Sequence, residues 1–514
     1  MILDPVESDR PRLATRVVAA IAAAKLVTHF ATNVVTPYGI HRDEFLYIAM
    51  GSHLQFWRMD FPPLIAMLAN VERAILGDSV FAIRFFPALA GAMLVVLAAL
   101  IARELGGGRF AQVLAAVSVF ANPLFLRAAA LFQPVVFDQL WWTLALLALA
   151  TLCRTRDPRW WLGVGAACGF GLFTKFSILL LGAAIVVATL LTSLRRDLTT
   201  RWPWLGFLAA MVIGSPSVVG QVRLGFPVLT YTSELRESQL SHVSIGGFIG
   251  EQILWNPVAA ILALAGLLAL LRADRLVRFR ALGWTCLVTF LLVLGMRGKP
   301  YYIGPIYPTL FAAGSVVLAG LNVRRIAPML RWATPIAIVV YALVGLPIGL
   351  PILPPAKMAR YATALGVTPA LRTNRGTIGQ LPQDYADMLG WPEQVAAIAR
   401  VYHGLPAAER QRAVIFAANY GEAGAIDFYG PRHGLPGAVS DAGTYWFFGP
   451  GENPGEVLIT INVDESDLRE IFASVTAVSD ITHPWAVEEE RDVTIRVSRK
   501  PRMTLQQIWP GLRE

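Results

Sequence analysis

Apolar runs of 18 or more residues recur from Thr15 to about Leu353. Each is long enough to cross a hydrocarbon core of ~30 Å. Inside such a core every backbone N–H and C=O must be paired within the chain, so helices are the only open choice for runs this long. The runs predict about eleven transmembrane helices, at 15–34, 81–102, 110–127, 136–153, 160–175, 177–194, 203–220, 249–271, 281–296, 301–320 and 332–353. The fold class is a polytopic α-helical membrane protein. Charged residues make up only 15% of the chain, against ~25% in soluble domains. The net charge of +9 therefore reads as topology and not as a nucleic-acid surface. Arg10, Arg12 and Arg16 ahead of "AIAAA" imitate a signal peptide, but the apolar run continues to about Val35, too long for a cleaved segment of ~7–15 residues. An uncleaved first helix is expected.

Basic residues orient the bundle. With the N-terminus cytoplasmic, Arg103, Arg109, Arg154, Arg156, Arg159, Arg195, Arg196, Arg201, Arg272, Arg275, Arg278, Arg280, Arg324, Arg325 and Arg331 all fall on the cytoplasmic side. The opposite loops hold most of the acids, and two of them are long, at 35–80 and 221–248. Long polar loops usually carry function. The membrane domain is expected to span 1–353. Beyond Pro354 the composition becomes mixed. "AVIFAANYG", "EVLITINV" and "DVTIRVSRK" read as strands; "QDYADMLGWPEQVAAIARVYHG" and "DESDLREIFASV" read as helices. An extracytoplasmic α/β domain over 354–514 is the expectation. Cys153, Cys168 and Cys286 lie in apolar segments, which argues against a disulfide framework or a zinc site.

Four outer stretches carry chemistry. "YGIHRDEFLYIAMGS" places His41, Arg42, Asp43 and Glu44 at a turn opening an amphipathic helix. The pair of acids reads either as a helix cap with Arg42 as ion-pair partner, or as a general base facing the lipid surface. In "MDFPPLIAML", Asp60 precedes a Pro-Pro turn. In "LFQPVVFDQLWW", Asp138 lies one turn inside an apolar helix, a costly place for an acid without a purpose. In "MRGKPYYIGPIYP", Arg297 and Lys299 stand beside Tyr301 and Tyr302; cations with tyrosine hydroxyls suit an anionic headgroup, and an aromatic belt is the plainer alternative. Lys175 in "GLFTKFS" falls on the same side and reads as a phosphate partner or a snorkelling base. Asp43, Glu44 and Asp138 would be the acids available to a divalent ion, but acids in separate loops are a weak basis, and neither a metal site nor a cofactor is assigned. Gly165 and Gly169, four apart in one apolar helix, point to close helix packing. Phosphate-loop and H-E-x-x-H patterns do not occur.

"HRDEFLYIAMGSHLQFWRMDFPPLIAML", "LFQPVVFDQLWW", "RGKPYYIGPIYPTLFAAG" and "ANYGEAGAIDFYGPRHGLPGAVS" together resemble the GT-C glycosyltransferases. The likeness is to a bacterial member of the family 39-like branch, which includes protein mannosyltransferases and the aminoarabinose transferase of lipid A. The resemblance implies inverting transfer of a sugar from a polyprenyl-phosphate donor to a lipid, glycan or protein acceptor. The reaction would take place on the outer face of the bacterial cytoplasmic membrane, with no nucleic acid involved. It implies Asp43 as the base and Asp138 as a second acid. The family's Lys or His before Pro-Pro is replaced by Asp60-Phe61, so Lys299, Arg297 and Lys175 are the candidates for the donor phosphate. Glu44, Asp60, His41, Tyr301 and Tyr302 are the candidates for substrate contact. The family's "SGHNSYW" reads "SDAGTYW" here, from Ser440 to Trp446. Two other classes compete: a transporter or flippase for lipid-linked glycans, and a non-catalytic membrane scaffold. A transporter would show internal repeats and midplane charges; here the charges gather at one face.

Overall fold

The computed structural model describes residues 10–366 and 371–513. Among them seven helices are long and apolar enough to cross a membrane: Thr15–Val35, Phe85–Glu104, Pro134–Thr155, Trp202–Leu224, Asp274–Gly295, Pro300–Ala319 and Ile326–Gly349. Two further crossings exist if each of two bent pairs is one span. Ile178–Leu191 bends by 100° into Ser193–Thr199, and Ile245–Trp255 bends by 106° into Pro257–Arg272. Arg109–Phe120 and Trp160–Leu172 are apolar but shorter. The eleven expected stretches are all helical, but two of them are too short for a straight crossing. The protein is a multi-pass membrane protein.

Breaks within the expected spans have local causes. The 110–127 stretch stops at Phe120. Asn122 then accepts the Leu124 N–H at 3.0 Å and starts the short helix Pro123–Ala128. The 249–271 stretch breaks at Asn256-Pro257, where the proline lacks a donor and Asn256 caps the new helix through Ala259 N–H at 3.0 Å. Close packing of small residues joins the bundle. A Cβ on Gly165 would stand 1.9 Å from the Gly206 carbonyl oxygen, and one on Gly314 would stand 2.0 Å from that of Leu262. Gly165→Leu is therefore expected to force the Trp160–Leu172 and Trp202–Leu224 helices apart. It should destabilise the solubilised protein by about 1–3 kcal/mol or more, read as a lower thermal midpoint.

The polar C-terminal region forms a five-stranded mixed sheet in the order β2-β1-β3-β5-β4. These strands are β1 Ala413–Ala417, β2 Ala438–Val439, β3 Val457–Ile461, β4 Phe472–Thr482 and β5 Asp492–Pro501. β1 pairs parallel with β2 and β3, and β5 pairs antiparallel with β3 and β4. All five residues of β1 and of β3 are buried, as their continuous apolar sequences require. The expected helix over "DESDLREIFASV" ends at Ile471, and its tail belongs to β4, whose Val and Thr residues favour an extended edge. The expected helix from Gln383 is also cut. It stops at Ala386, Gly390 turns with φ +93, and Trp391–Gly404 follows.

This region packs against one end of the bundle. Phe45, fully buried, is ringed by Trp391, Phe428 and Tyr429 at 5.9, 5.7 and 5.7 Å between centroids. Gly424 leaves the room: a Cβ there would stand 2.6 Å from that of Phe45.

Candidate active site

The site starts from one helix start. His41 is extended (φ −77, ψ 148), and its Nδ1 accepts the Asp43 N–H at 3.1 Å. The His41 N–H donates to Glu44 Oε2 at 2.8 Å. Arg42–Ser52 is then helical. Consecutive helical residues point ~100° apart, so the three charges part ways. Arg42 faces the C-terminal region, with Glu489 at 3.3 Å, Asp387 at 3.7 Å and the Tyr420 ring at 5.0 Å. Glu44 turns inward to Arg84 at 2.7 Å, both side chains wholly buried, and accepts the Phe132 N–H at 2.7 Å. Asp43, half-buried, accepts the Tyr420 hydroxyl at 2.9 Å and the Gln133 amide at 3.0 Å.

A group of cations and tyrosines lies within electrostatic reach of Asp43 or of one another. Lys299 feels the Asp43 and Asp384 carboxylates; burial nonetheless pushes its ammonium down to about 8. Its Nζ donates to Asn374 at 3.3 Å. Lys175 lies 5.0 Å from the Tyr302 ring and 5.8 Å from that of Tyr301. Lys175, Tyr301, Tyr302, Asp138 and Ser177 line one narrow pocket. Within it Asp138 accepts the Trp142 indole N–H at 2.8 Å and the Ser177 hydroxyl at 2.7 Å. Tyr231, from the 221–248 stretch, lies within electrostatic reach of Asp43 and Tyr302.

The expected set is thus partly gathered and partly reassigned. Asp138, Lys175, Tyr301 and Tyr302 line one pocket; Asp43 and Lys299 are not among its lining residues but are within electrostatic reach of each other. Glu44 is corrected: its oxygens are taken up by Arg84, Phe132 and His41, which leaves it an anchor and not a substrate contact. His41 is corrected too; it is 3% exposed and serves as the helix cap, with Nε2 3.7 Å from Asp387. Asp60 accepts the Thr444 hydroxyl at 2.7 Å and binds the loop to the "SDAGTYW" stretch. Arg297 is exposed on a left-handed residue (φ 53), and among the described residues its guanidinium makes no hydrogen bond or ion pair. The three acids weighed for a divalent ion point apart, and no group of three or more metal-ligating side chains gathers among the described residues.

Tyr420 and Gln133 were not expected. Tyr420 opens the helix Tyr420–Tyr429, capped by Asn419, whose Oδ1 accepts from Gly421 and Glu422 N–H at 2.9 and 3.1 Å. The signal was present as Asn419 followed three residues later by Glu422, a capping pattern masked by reading "AVIFAANYG" as one strand. Burial and the Asp43 carboxylate push the Tyr420 phenol well above its ordinary range, so it acts as a donor to Asp43.

Residues 60–219 match a family model described as dolichyl-phosphate-mannose-protein mannosyltransferase. That match holds Asp60, Asp138 and Lys175 but not Asp43, Lys299 or Tyr420. Among solved structures, ArnT from Cupriavidus metallidurans bound to undecaprenyl phosphate is 18% identical with a TM-score of 0.56, covering 94% of this chain and 98% of that one. The apo state of the same protein is 16% identical with a TM-score of 0.59 at the same coverage. The archaeal oligosaccharyltransferase AglB from Archaeoglobus fulgidus, in complex with an inhibitory peptide and a dolichol-phosphate, is 10% identical with a TM-score of 0.50. That alignment covers 87% of this chain and 69% of that one. Curated protein sequences give no match. The whole-chain likeness to ArnT shows that the chain shares the fold of that protein, and the family match over residues 60–219 lies within it.

Proposed function

We propose that the protein transfers a sugar from a polyprenyl-phosphate donor to an acceptor hydroxyl at the outer face of the cytoplasmic membrane, with inversion at the anomeric carbon. One observation carries this reading: Asp43 is within electrostatic reach of Lys299, which in turn is within reach of Lys175, and Lys175 lines a narrow pocket with Asp138, Tyr301 and Tyr302. A carboxylate is thus coupled to a set of cations, one of which shares its pocket with two tyrosines. The fold is shared with ArnT bound to undecaprenyl phosphate and AglB with a dolichol-phosphate, which supports a lipid-linked donor. The scarcity of basic residues in the loops that carry Asp43 supports the outer face, and with it a C-terminal domain outside.

In this reading the acceptor oxygen attacks the anomeric carbon as Asp43 takes its proton. The bond from that carbon to the phosphate oxygen breaks, and the electron pair leaves with the polyprenyl phosphate. The leaving phosphate needs charge compensation more than a proton, which lysines and tyrosine hydroxyls supply. One carboxylate suffices for a single displacement, unlike the paired acids of glycosidases. Asp138, tied to Trp142 and Ser177, would hold the sugar and not take the proton.

The test is turnover in lipid nanodiscs holding the purified chain, a panel of polyprenyl-phosphate hexoses and pentoses, and envelope lipid extract. Release of polyprenyl phosphate together with a product of opposite anomeric configuration is expected. Flux of the lipid-linked sugar across vesicles without any such product would replace this reading with a transporter.

Lys299 gives the reading a pH signature. It is charged below about 8 and loses its proton above. At pH 9 only about a tenth remains protonated, so the donor KM should rise by up to about tenfold between pH 7 and 9. Lys299→Arg, which stays charged, should flatten that rise.

A further inference from the structure

The Arg42–Ser52 and Tyr420–Tyr429 helices run side by side in the same direction. Asp43 meets Tyr420 at one end, Phe45 meets Gly424 in the middle, and a second cleft lies at the other end. That cleft encloses about 270 Å³ and is lined by Ser52, His53, Arg73, Asp427 and Phe428, with Gly424 and Gly437 among the remaining lining residues. Ser52 and His53 are exposed, so solvent reaches it. From Asp43 to Ser52 is nine residues, about 13 Å along the helix.

The lining has a definite chemistry. Asp427 accepts the Ala438 N–H and the Tyr445 hydroxyl, each at 2.8 Å, but a carboxylate has about four acceptor positions. Arg73 pairs with Asp78 through Nε at 2.6 Å, which leaves donors on its two terminal nitrogens. His53 uses Nδ1 on the Ala49 carbonyl at 3.0 Å, while its ring lies flat on Phe448, 4.1 Å between centroids and 9° between planes. The Arg73 charge is already matched, and the Asp427 carboxylate disfavours an anion. Acceptors, donors and aromatic faces mixed in one cleft suit a molecule whose every hydroxyl both gives and takes a hydrogen bond and whose C–H faces are apolar. The volume is somewhat below the ~300 Å³ at which drug-sized sites begin, enough for a single ring.

We propose that this cleft is a binding subsite for one neutral sugar ring of the acceptor. Its place in the reaction rests on the transferase reading above; its binding of sugar does not. An acceptor that reaches from Asp43 to this cleft spans about 13 Å, so it is an oligosaccharide or glycolipid and not a single sugar.

The test is saturation-transfer NMR of the full chain in nanodiscs with millimolar methyl glucoside, methyl mannoside and methyl galactoside. Wild type, Asp43→Asn, Asp427→Asn and Gly437→Val are compared, each first checked for a monodisperse elution peak. Gly437→Val puts a branched side chain into the cleft, its Cβ 3.4 Å from Asp427 Oδ1, and keeps the Asp427 carboxylate itself, so it fills the site by a different route from Asp427→Asn. Saturation of at least one glycoside in wild type and Asp43→Asn, reduced at least fivefold in both cleft variants, supports the subsite. No saturation of any glycoside, survival in both cleft variants, or equal loss in Asp43→Asn overturns it. Release of polyprenyl phosphate is measured separately. Binding without release removes the transferase reading and keeps a saccharide site; release without glycoside binding does the reverse.

Discussion

Asp43→Asn is expected to lower the rate of polyprenyl phosphate release by about 10²–10⁴-fold, the usual contribution of a positioned general base. Asn keeps the size of Asp and still accepts the Tyr420 hydroxyl, so the helix start and the docked C-terminal region should persist. The thermal midpoint should stay close to wild type, and glycoside binding at the second cleft should be unchanged. The effect falls on turnover because the amide cannot take a proton from the acceptor. Turnover near the wild-type rate, with release still dependent on acceptor, would remove Asp43 as the base. Tyr420→Phe is a milder companion. It removes the donor that fixes one carboxylate oxygen at 2.9 Å and should lower kcat by about tenfold or less, without a change in donor KM.

The neighbouring acid should behave in the opposite way. Glu44→Gln leaves the Arg84 guanidinium wholly buried and without a counter-charge. Removing one partner of a buried pair costs about 3–5 kcal/mol, or about 5–10 °C of thermal midpoint. Glu44→Leu with Arg84→Met removes both charges and should recover much of that loss, since a buried pair is often replaceable by apolar residues of similar size. A single variant as stable as wild type would show that the pair is not the anchor. The pH response has a definite sign. Burial alone would raise the Glu44 carboxyl, but Arg84 outweighs it and holds the group below its ordinary 4.5. The pair's stabilisation is therefore present above about 4.5 and is lost only as pH falls through the lower folded value.

Two adjacent acids with such different fates show what a sequence carries and what it withholds. The apolar runs located the long membrane helices, because a span is a property of length and composition; the breaks at Asn122 and Asn256-Pro257 and the short helices in the 35–80 and 221–248 stretches were not marked by them. Gly165 was read correctly as a packing residue, because a small residue four apart from another on an apolar helix has few other uses. The residues alone did not separate Asp43 from Glu44; the family resemblance pointed to Asp43 as the base but left Glu44 as a substrate contact. Which of them meets Tyr420 and which meets Arg84 depends on the residue at which the helix begins, set by the His41 cap, and on a C-terminal region hundreds of residues away. Arg84 pairs with Glu44, forty residues upstream, a partner that no local pattern marks. β4 was lost because its first residues continue a helical pattern and are extended only through pairing with β5. Lys299 and Lys175 were legible as cations on an acidic side; Arg297, equally basic, was not distinguishable from them until its left-handed backbone set it apart.

The Asp43–Tyr420 bond joins residues 377 positions apart. During synthesis the first loop is complete long before Tyr420 leaves the ribosome. Until the helix that carries Tyr420 has been made and has closed over Phe45, the growing chain holds a carboxylate with only half its partners. The order of synthesis thus keeps the bundle without a finished cleft while it is still being inserted, and the last third of the polypeptide decides when the site comes into being.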